Sequence, residues 1–229
     1  MAKKHRNGHR AEIETLSLAL VQNGRAMEEG SKRKHWSSHD IKSIQPLTPT
    51  QDDMFHAWYN NKHICAHGSA GTGKSFLALY LAINEIISKH QKKIIIVRSA
   101  VATRDVGFLP GTLEEKTALY ELPYHDIMWE LVGRASTYQD MKDVGLIKFM
   151  TTSFIRGLTW DNAIIIVDEG ENMTFHEIDS IMTRVGENSR IIFTGDMKQT
   201  DLDGKKNGQS GMQDALKVFD RMKTFESIQ

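Results

Sequence analysis

The sequence predicts an α/β fold in which a mostly parallel β-sheet is flanked by helices on both faces. Three unbroken apolar runs rich in β-branched residues carry this prediction, at 93–98, 163–167 and 190–194. Strands of a parallel sheet are buried on both faces, so they read as continuous apolar runs and not as alternating ones. Helical patterns separate the runs, as expected for right-handed crossovers between parallel strands.

Composition limits the class of protein. The chain has 229 residues and is 40% hydrophobic, enough for one main domain with a small appendage. Lys plus Arg and Asp plus Glu both count 29, which excludes a wholly basic surface for nucleic acid. The single cysteine, Cys65, cannot form an intramolecular disulfide, and no apolar run approaches the roughly 20 residues that cross a bilayer. We therefore expect a cytoplasmic protein without a membrane segment.

Residues 1–44 are predicted to form a short basic extension, and 45–229 the main domain. Positions 1–42 hold nine Lys/Arg and five Asp/Glu, with a short helix predicted over 11–21. The cluster at 31–38 places basic residues next to Trp36 and could track phosphates while stacking a base. It could equally be a solvated linker whose Trp36 packs on the main domain.

A phosphate-binding loop occupies 67–75, between a strand predicted at 63–67 and a helix predicted at 76–88. The stretch satisfies G-x-x-x-x-G-K-[ST], whose backbone N–H groups converge on phosphate oxygens at a helix N-terminus. Lys74 would reach the β- and γ-phosphates of ATP, and Ser75 would supply a hydroxyl ligand to Mg²⁺. The predicted nucleotide-binding residues are Gln51, Gly68, Ser69, Ala70, Gly71, Thr72, Gly73, Lys74, Ser75 and Phe76.

Gln51 joins that set because of its position. A helix opens at 47–51 and runs through Tyr59, just upstream of the loop. The Gln51 amide presents both a donor and an acceptor, which suits an adenine edge. Exposed glutamines at helix starts are also common without any ligand.

Two carboxylates directly follow the strand at 164–167. An acid at the carboxyl end of a buried parallel strand faces the crevice where such sheets bind ligands. Asp168 would hold Mg²⁺ directly or through water, and Glu169 would polarise the attacking water. The alternative is a pair of carboxylates that cap a neighbouring helix.

Gln199, after the third buried run, could contact the γ-phosphate or the lytic water as a sensor.

The remaining elements are less specific. In the predicted turn at 107–111, Phe108 and Leu109 could contact a nucleic-acid strand or a neighbouring subunit. The alternative is that both side chains pack in the core. A helical stretch follows it. A strand is predicted at 146–150, a helix from the capping box at 174–177 to about 184–186, and a last helix from 210 to 222.

Five blocks of the sequence together resemble a PhoH-like protein: GSAGTGKS at 68–75, GFLPGTLEEK at 107–116, FIRG at 154–157, DEGEN at 168–172 and TGDMKQTDL at 194–202. The match runs from about residue 45 to the end. The resemblance implies an ATPase with a RecA-like core related to the first motor domain of superfamily 1 helicases, in bacteria and their phages. It also implies a Gln51 contact to adenine, Lys74 and Ser75 on phosphates and Mg²⁺, Asp168 and Glu169 as metal and water residues, and Gln199 as sensor.

Departures from the family pattern are local. Glu171 stands where the family usually has glutamine, which adds a negative charge beside the acid pair. Leu158 stands where many relatives carry a second arginine, so Arg156 is the arginine left in its block. Nothing in the sequence resembles an attached nuclease domain.

The resemblance raises the question of an arginine that completes the ATP site. Superfamily 1 helicases supply it from a second motor domain, whereas this sequence runs only about 30 residues past Gln199. An arginine supplied in trans raises the rate by roughly 10³ to 10⁵. We therefore expect a ring, with a hexamer favoured, in which Arg184 or, second, Arg156 reaches a neighbour; Arg98 and Arg104 rank lower. Each of these could instead be an ordinary surface or salt-bridging arginine.

Three functions are consistent with the sequence. The first is an ATPase that moves or remodels RNA or single-stranded DNA, as a helicase does. The second is a nucleotide-gated oligomeric module, and the third a P-loop phosphotransferase (kinase). Glu169 argues against the kinase, because a base that activates water is what hydrolysis needs.

Overall fold

The computed structural model describes residues 36–88, 90–99, 113–196 and 211–229, with the side chains of 113–116 excepted. Those from residue 37 onward belong to one compact unit, Ser37–Gln229. Several predicted features lie outside the described residues: the helix over 11–21, most of the basic cluster at 31–38, Arg104, the turn at 107–111 and Gln199.

Six strands form one sheet in the order β3-β2-β4-β5-β1-β6, and every pairing is parallel. The strands are β1 His63–His67, β2 Lys93–Arg98, β3 Ile147–Thr151, β4 Ala163–Asp168, β5 Arg190–Gly195 and β6 Phe225–Ile228. One strand, β5, separates the strand before the phosphate-binding loop from the strand before the acids. The fold is RecA-like, and the predicted α/β class is confirmed.

The described helices cover both faces of the sheet. They are α1 Pro49–Tyr59, α2 Lys74–Ile87, α3 Leu113–Val132, α4 Thr137–Asp143, α5 Phe175–Met182 and α6 Met212–Phe219. Strand side chains alternate between faces: Cys65, Ile165 and Phe193 join the core cluster that contains α5 and α6 residues. α2 contacts β2, β4 and β5 and buries eight side chains, as its nearly all-round apolar sequence predicts.

Strand register brings the functional ends together. His67 at the end of β1 lies opposite Gly195 at the end of β5, and Asp168 at the end of β4 lies opposite Arg98 of β2. The carboxyl ends of β4, β5 and β1 are therefore adjacent. No helix among the described residues is both long and apolar enough to cross a bilayer.

Three elements differ from the sequence prediction, and one of them is the last helix, α6, which ends at Phe219 and not near 222. α5 ends at Met182, and Val185 lies beyond it in an isolated bridge with Trp160. β6 was not predicted. Among the described strands, β1 alone pairs with it, at the edge of the sheet, and its residues are not uniformly buried. An edge strand of four residues therefore lacks the continuous apolar run that revealed the central strands.

Candidate active site

The loop at 68–75 curls around the start of α2. Gly71 and Gly73 have φ angles of +77° and +83°, a region that disfavours side chains, and Gly73 is the N-cap of α2. The first-turn N–H groups of this 14-residue helix have no intrahelical partners. The start of α2 therefore presents N–H donors and the positive end of a helix dipole to an anion.

Two cavities adjoin the loop. The larger, about 860 Å³, extends past Gln51, Met54 and Phe76 to the end of β6. The smaller, about 340 Å³, lies between the loop and the acids Asp168 and Glu169. The larger volume lies in the range that small-molecule sites occupy. Residues of the loop line both cavities, so one ligand could place an apolar ring in the larger and charged groups in the smaller.

Lys74 projects its ammonium group over the loop itself. Its Nζ donates to the carbonyl oxygens of Gly68 at 2.9 Å and Ser69 at 2.7 Å. Both acceptors are neutral, so these hydrogen bonds do not neutralise the charge of the ammonium group. An arriving phosphate offers a stronger, charge-assisted acceptor at the same place.

Ser75 and Asp168 form a pair of hard oxygen donors at the smaller cavity. The Ser75 Oγ donates to Asp168 Oδ1 at 2.7 Å. Within the described residues, no cluster of three or more His, Cys, Asp or Glu side chains could hold a metal. Mg²⁺ commonly binds one or two protein oxygens together with phosphates and waters. The pair Ser75–Asp168 fits that requirement.

Asp168 has two further partners that sequence reasoning missed. Thr194 Oγ1 donates to Oδ1 at 2.5 Å, and the hydroxyl of Tyr124 donates to Oδ2 at 2.7 Å. Tyr124 lies on α3 and is buried; burial and the nearby Asp168 charge raise its pKa well above 10.0. It stays a hydrogen-bond donor throughout the neutral range. No motif contains Tyr124, so nothing in the sequence signalled this contact.

Glu169 points to its own chain's Arg98. Its backbone is in the left-handed region, with φ of +55°, and its carboxylate forms an ion pair with the guanidinium of Arg98. The same guanidinium donates to the carbonyl oxygen of Tyr120 at 3.2 Å. The Arg98 side chain is 13% exposed. Arg98, ranked low as an arginine reaching a neighbour, is thus engaged within its own subunit.

A third acid supports the loop. Asp196, directly after β5, accepts a hydrogen bond from the backbone N–H of Ala70 at 2.8 Å. The position follows the same strand-end logic as Asp168, although we did not assign it from sequence. Asp196 therefore ties the phosphate-binding loop to the end of the neighbouring strand.

Glu171 is buried beside this contact. Its Oε2 accepts from the backbone N–H of Asp196 at 3.0 Å. Burial, above all, raises the pKa of Glu171 to about 7, with the charges of Glu169 and Asp168 acting in the same direction. The extra negative charge expected from sequence is therefore only partly present at neutral pH.

Gln51 lines the larger cavity, but both ends of its amide already have protein partners. Its Oε1 accepts from the backbone N–H of Leu47 at 2.7 Å, and its Nε2 donates to the carbonyl oxygen of Thr72 at 3.2 Å. The amide thereby joins the start of α1 to the loop. A base in this cavity would have to share or replace these hydrogen bonds.

Neither of the two favoured arginines lines either of the two cavities beside the loop. Arg184 Nε donates to the carbonyl oxygen of Ile155 at 3.2 Å, and its own carbonyl accepts from Trp160 N at 2.8 Å. Arg156 is exposed. The structure therefore brings Gln51, the loop, Asp168 and Glu169 together, and leaves Arg156 and Arg184 outside.

Comparison with known proteins gives matches at the levels of family, sequence and fold. The family profile described as PhoH-like protein matches residues 43–229. A PhoH-like protein of Bacillus subtilis (strain 168) is 36% identical over 187 residues, covering 81% of this chain and 58% of the relative. Protein PhoH of Escherichia coli (strain K12) is 31% identical over 220 residues, covering 95% and 61%.

The chain thus spans about three-fifths of the length of these two relatives. Among solved structures, the Sulfolobus solfataricus SWI2/SNF2 ATPase core in complex with dsDNA is 14% identical, with a TM-score of 0.42 over 78% of this chain and 37% of that one. Pif1 helicase from Candida albicans is 16% identical, with a TM-score of 0.34 over 68% and 34%. On the family profile and the sequence relatives, the chain belongs to the family of PhoH-like proteins.

Proposed function

We propose that this chain binds ATP with Mg²⁺ and hydrolyses it. The observation that carries the proposal is the smaller cavity. Lys74, the Ser75–Asp168 pair and Glu169 all border that cavity, which lies at the carboxyl ends of neighbouring strands. A lysine, a hard-oxygen metal pair and a carboxylate base are the groups that phosphoryl transfer to water requires.

Each group has a role in this scheme. Lys74 exchanges the carbonyls of Gly68 and Ser69 for phosphate oxygens. Ser75 and Asp168 hold Mg²⁺, which when bound offsets the negative charge of the phosphates. Asp196 keeps the Ala70 N–H and its loop in place. Gln51 stays the predicted contact to adenine, and Gln199 the predicted sensor.

Glu169 is the proposed general base. The Arg98 guanidinium contacts an oxygen of the Glu169 carboxylate and so competes with water for it. Arg98 must therefore release Glu169, or shift along it, before the carboxylate can orient and deprotonate water. We propose that this release is a step of the catalytic cycle.

We further propose that hydrolysis drives movement or remodelling of RNA or single-stranded DNA. Two exposed aromatics, Phe154 and Phe175, follow the carboxyl ends of β3 and β4. Their segments are joined by a hydrogen bond from Thr152 Oγ1 to Glu177 at 2.7 Å, and exposed Arg156 lies nearby in sequence. Exposed aromatics stack bases and arginines bind phosphates, which suits a single strand.

The proposed assembly is a homo-oligomeric ring, with a hexamer favoured, in the cytoplasm. Arg184 and Arg156 line neither of the two cavities beside the loop, so we assign either of them to a neighbour's nucleotide. Cys65, the one cysteine of the sequence, is a buried free thiol, which suits a reducing compartment.

One alternative has a specific observation in its favour. Because Glu169 is paired with Arg98, the chain could bind ATP without hydrolysing it and act as a nucleotide-gated module. The phosphotransferase alternative has no such support among the described contacts.

One experiment separates these functions: ATP binding and hydrolysis by wild type, Lys74→Ala and Glu169→Gln, each with and without single-stranded RNA or DNA. We expect wild type to hydrolyse ATP faster with a strand present. Glu169→Gln should keep ATP affinity and lose at least about 100-fold in turnover, and Lys74→Ala should lose binding. Binding without turnover in wild type would favour the gated module, and a rate indifferent to every strand would remove the motor.

A further inference from the structure

We propose that Tyr124 is the positioning residue of Asp168, and that its hydroxyl holds one carboxylate oxygen so that the other faces the magnesium ion of bound nucleotide. The inference rests on the proposed function, because it concerns the same carboxylate. Tyr124 belongs to no sequence motif and comes from α3, which flanks the sheet.

The two oxygens of Asp168 have different partners. Oδ1 accepts from Ser75 at 2.7 Å and from Thr194 at 2.5 Å. Oδ2 accepts from Tyr124 at 2.7 Å. Ser75 is the other protein group proposed to hold the metal, and it contacts Oδ1, so Oδ1 is the oxygen that would serve an ion shared by the two residues.

Rotation of the carboxylate is the variable that Tyr124 controls. The last torsion of an aspartate is broad, because it joins a tetrahedral to a planar carbon. The Tyr124 hydroxyl restricts it by fixing Oδ2 from a site that is 1% exposed and excludes competing water. Outer partners of metal-binding carboxylates typically contribute 10- to 100-fold in metal affinity or activity.

The chain supplies a matched control in Tyr138. Its ring stacks on that of Tyr124, with centroids 6.4 Å apart and planes at 19°. It is 0% exposed, and its hydroxyl donates to a carboxylate, Glu121, at 2.7 Å. Tyr138→Phe therefore deletes the same kind of hydrogen bond at the same depth, but not one to Asp168.

The test is equilibrium binding of a fluorescent, non-hydrolysable ATP analogue, titrated with Mg²⁺ and repeated in EDTA. We expect Tyr124→Phe to raise the half-saturating Mg²⁺ concentration about tenfold and to leave affinity in EDTA unchanged. Tyr138→Phe should match wild type in both. A purely structural role of Tyr124 would weaken both arms alike, and that result, or an unchanged Mg²⁺ requirement, overturns the proposal.

The outcomes also separate this inference from the proposed function. If wild type shows no Mg²⁺-dependent binding, the proposed function fails and the inference with it. If wild type binds and the two variants agree, only the inference fails.

Should Tyr124→Phe not fold, ring-labelled wild type gives a second measurement. The ¹³C signal of the Tyr124 Cζ should shift when Mg²⁺ joins the complex with the analogue, while that of Tyr138 stays in place. A Tyr124 signal that does not move on Mg²⁺ addition overturns the proposal.

Discussion

Four acidic side chains lie close to the carboxyl ends of β4 and β5, and each has different hydrogen-bond or ion-pair partners. Asp168 accepts from three hydroxyls, Glu169 pairs with Arg98, and Asp196 accepts from the loop N–H of Ala70. Glu171 is buried and accepts from a backbone N–H, and its own pKa is about 7. Burial therefore sets the protonation of Glu171, while the other three acids are distinguished by their hydrogen-bond partners.

Glu171 predicts a pH dependence of stability. Its pKa is about 7 in the folded protein against an ordinary 4.5, so between these values the unfolded chain binds fewer protons. Its contribution to stability is therefore complete below pH 4.5 and is lost as pH rises to about 7. We expect Glu171→Gln to gain in Tm relative to wild type over this range. Parallel profiles of wild type and variant would contradict this, and exposed Glu226→Gln is the control.

At the scale of elements, a buried charge cluster attaches α1 to the rest of the domain. The guanidinium of Arg190, at the start of β5, lies 3.4 Å from the Trp58 ring centroid and donates to the Trp58 carbonyl oxygen at 2.7 Å. It also pairs with Glu85 of α2 at 2.9 Å. The cluster fixes the helix whose first turn carries Gln51 to the cavity.

Removing this arginine should be costly. Arg190→Met removes the guanidinium from the partly buried Glu85 carboxylate and from Trp58, so we expect a loss of about 3 kcal/mol in the free energy of unfolding. The exposed pair of Lys217 with Asp214 provides the control. Lys217→Met should change stability by at most about 1 kcal/mol. Denaturant unfolding measures the free energy of unfolding of both variants. Equal losses would show that Arg190 does not attach α1 to the rest of the domain.

At the scale of the whole molecule, the two cavities lie at the carboxyl ends of the parallel strands. Arg184 accepts on its carbonyl from Trp160, shortly before the start of β4, and its guanidinium is held by Ile155. In its own chain it lines neither of the two cavities beside the loop. An assembled ring is the arrangement in which it would serve catalysis.

Mixing subunits tests that arrangement. Arg184→Ala protein mixed with wild type should lower ATP hydrolysis more than dilution does, because each altered subunit also impairs a neighbour's site. Arg221→Ala, at an exposed arginine, should leave the activity of the mixture unchanged. A strictly proportional loss with Arg184→Ala would assign this arginine to its own subunit or to no catalytic role.

The sequence alone determined the sheet, the phosphate-binding loop and the position of Asp168 and Glu169. These features are local: glycines allow the loop's backbone, and unbroken apolar runs identify strands buried on both faces. Since the carboxyl ends of parallel strands lie on the same side of the sheet, the acids that follow β4 could be placed beside the loop. The short edge strand β6 could not be predicted in this way, because a partly buried strand has no unbroken apolar run.

Only the tertiary structure decided which side chains control those acids. Tyr124 meets Asp168 across 44 positions of sequence, and Arg98 meets Glu169 across 71. Arg98 is brought there by the register of β2 on β4, and Tyr124 by the packing of α3. Neither contact leaves a local pattern, because a hydrogen bond between distant elements depends on how they pack and not on the residues adjacent in the chain.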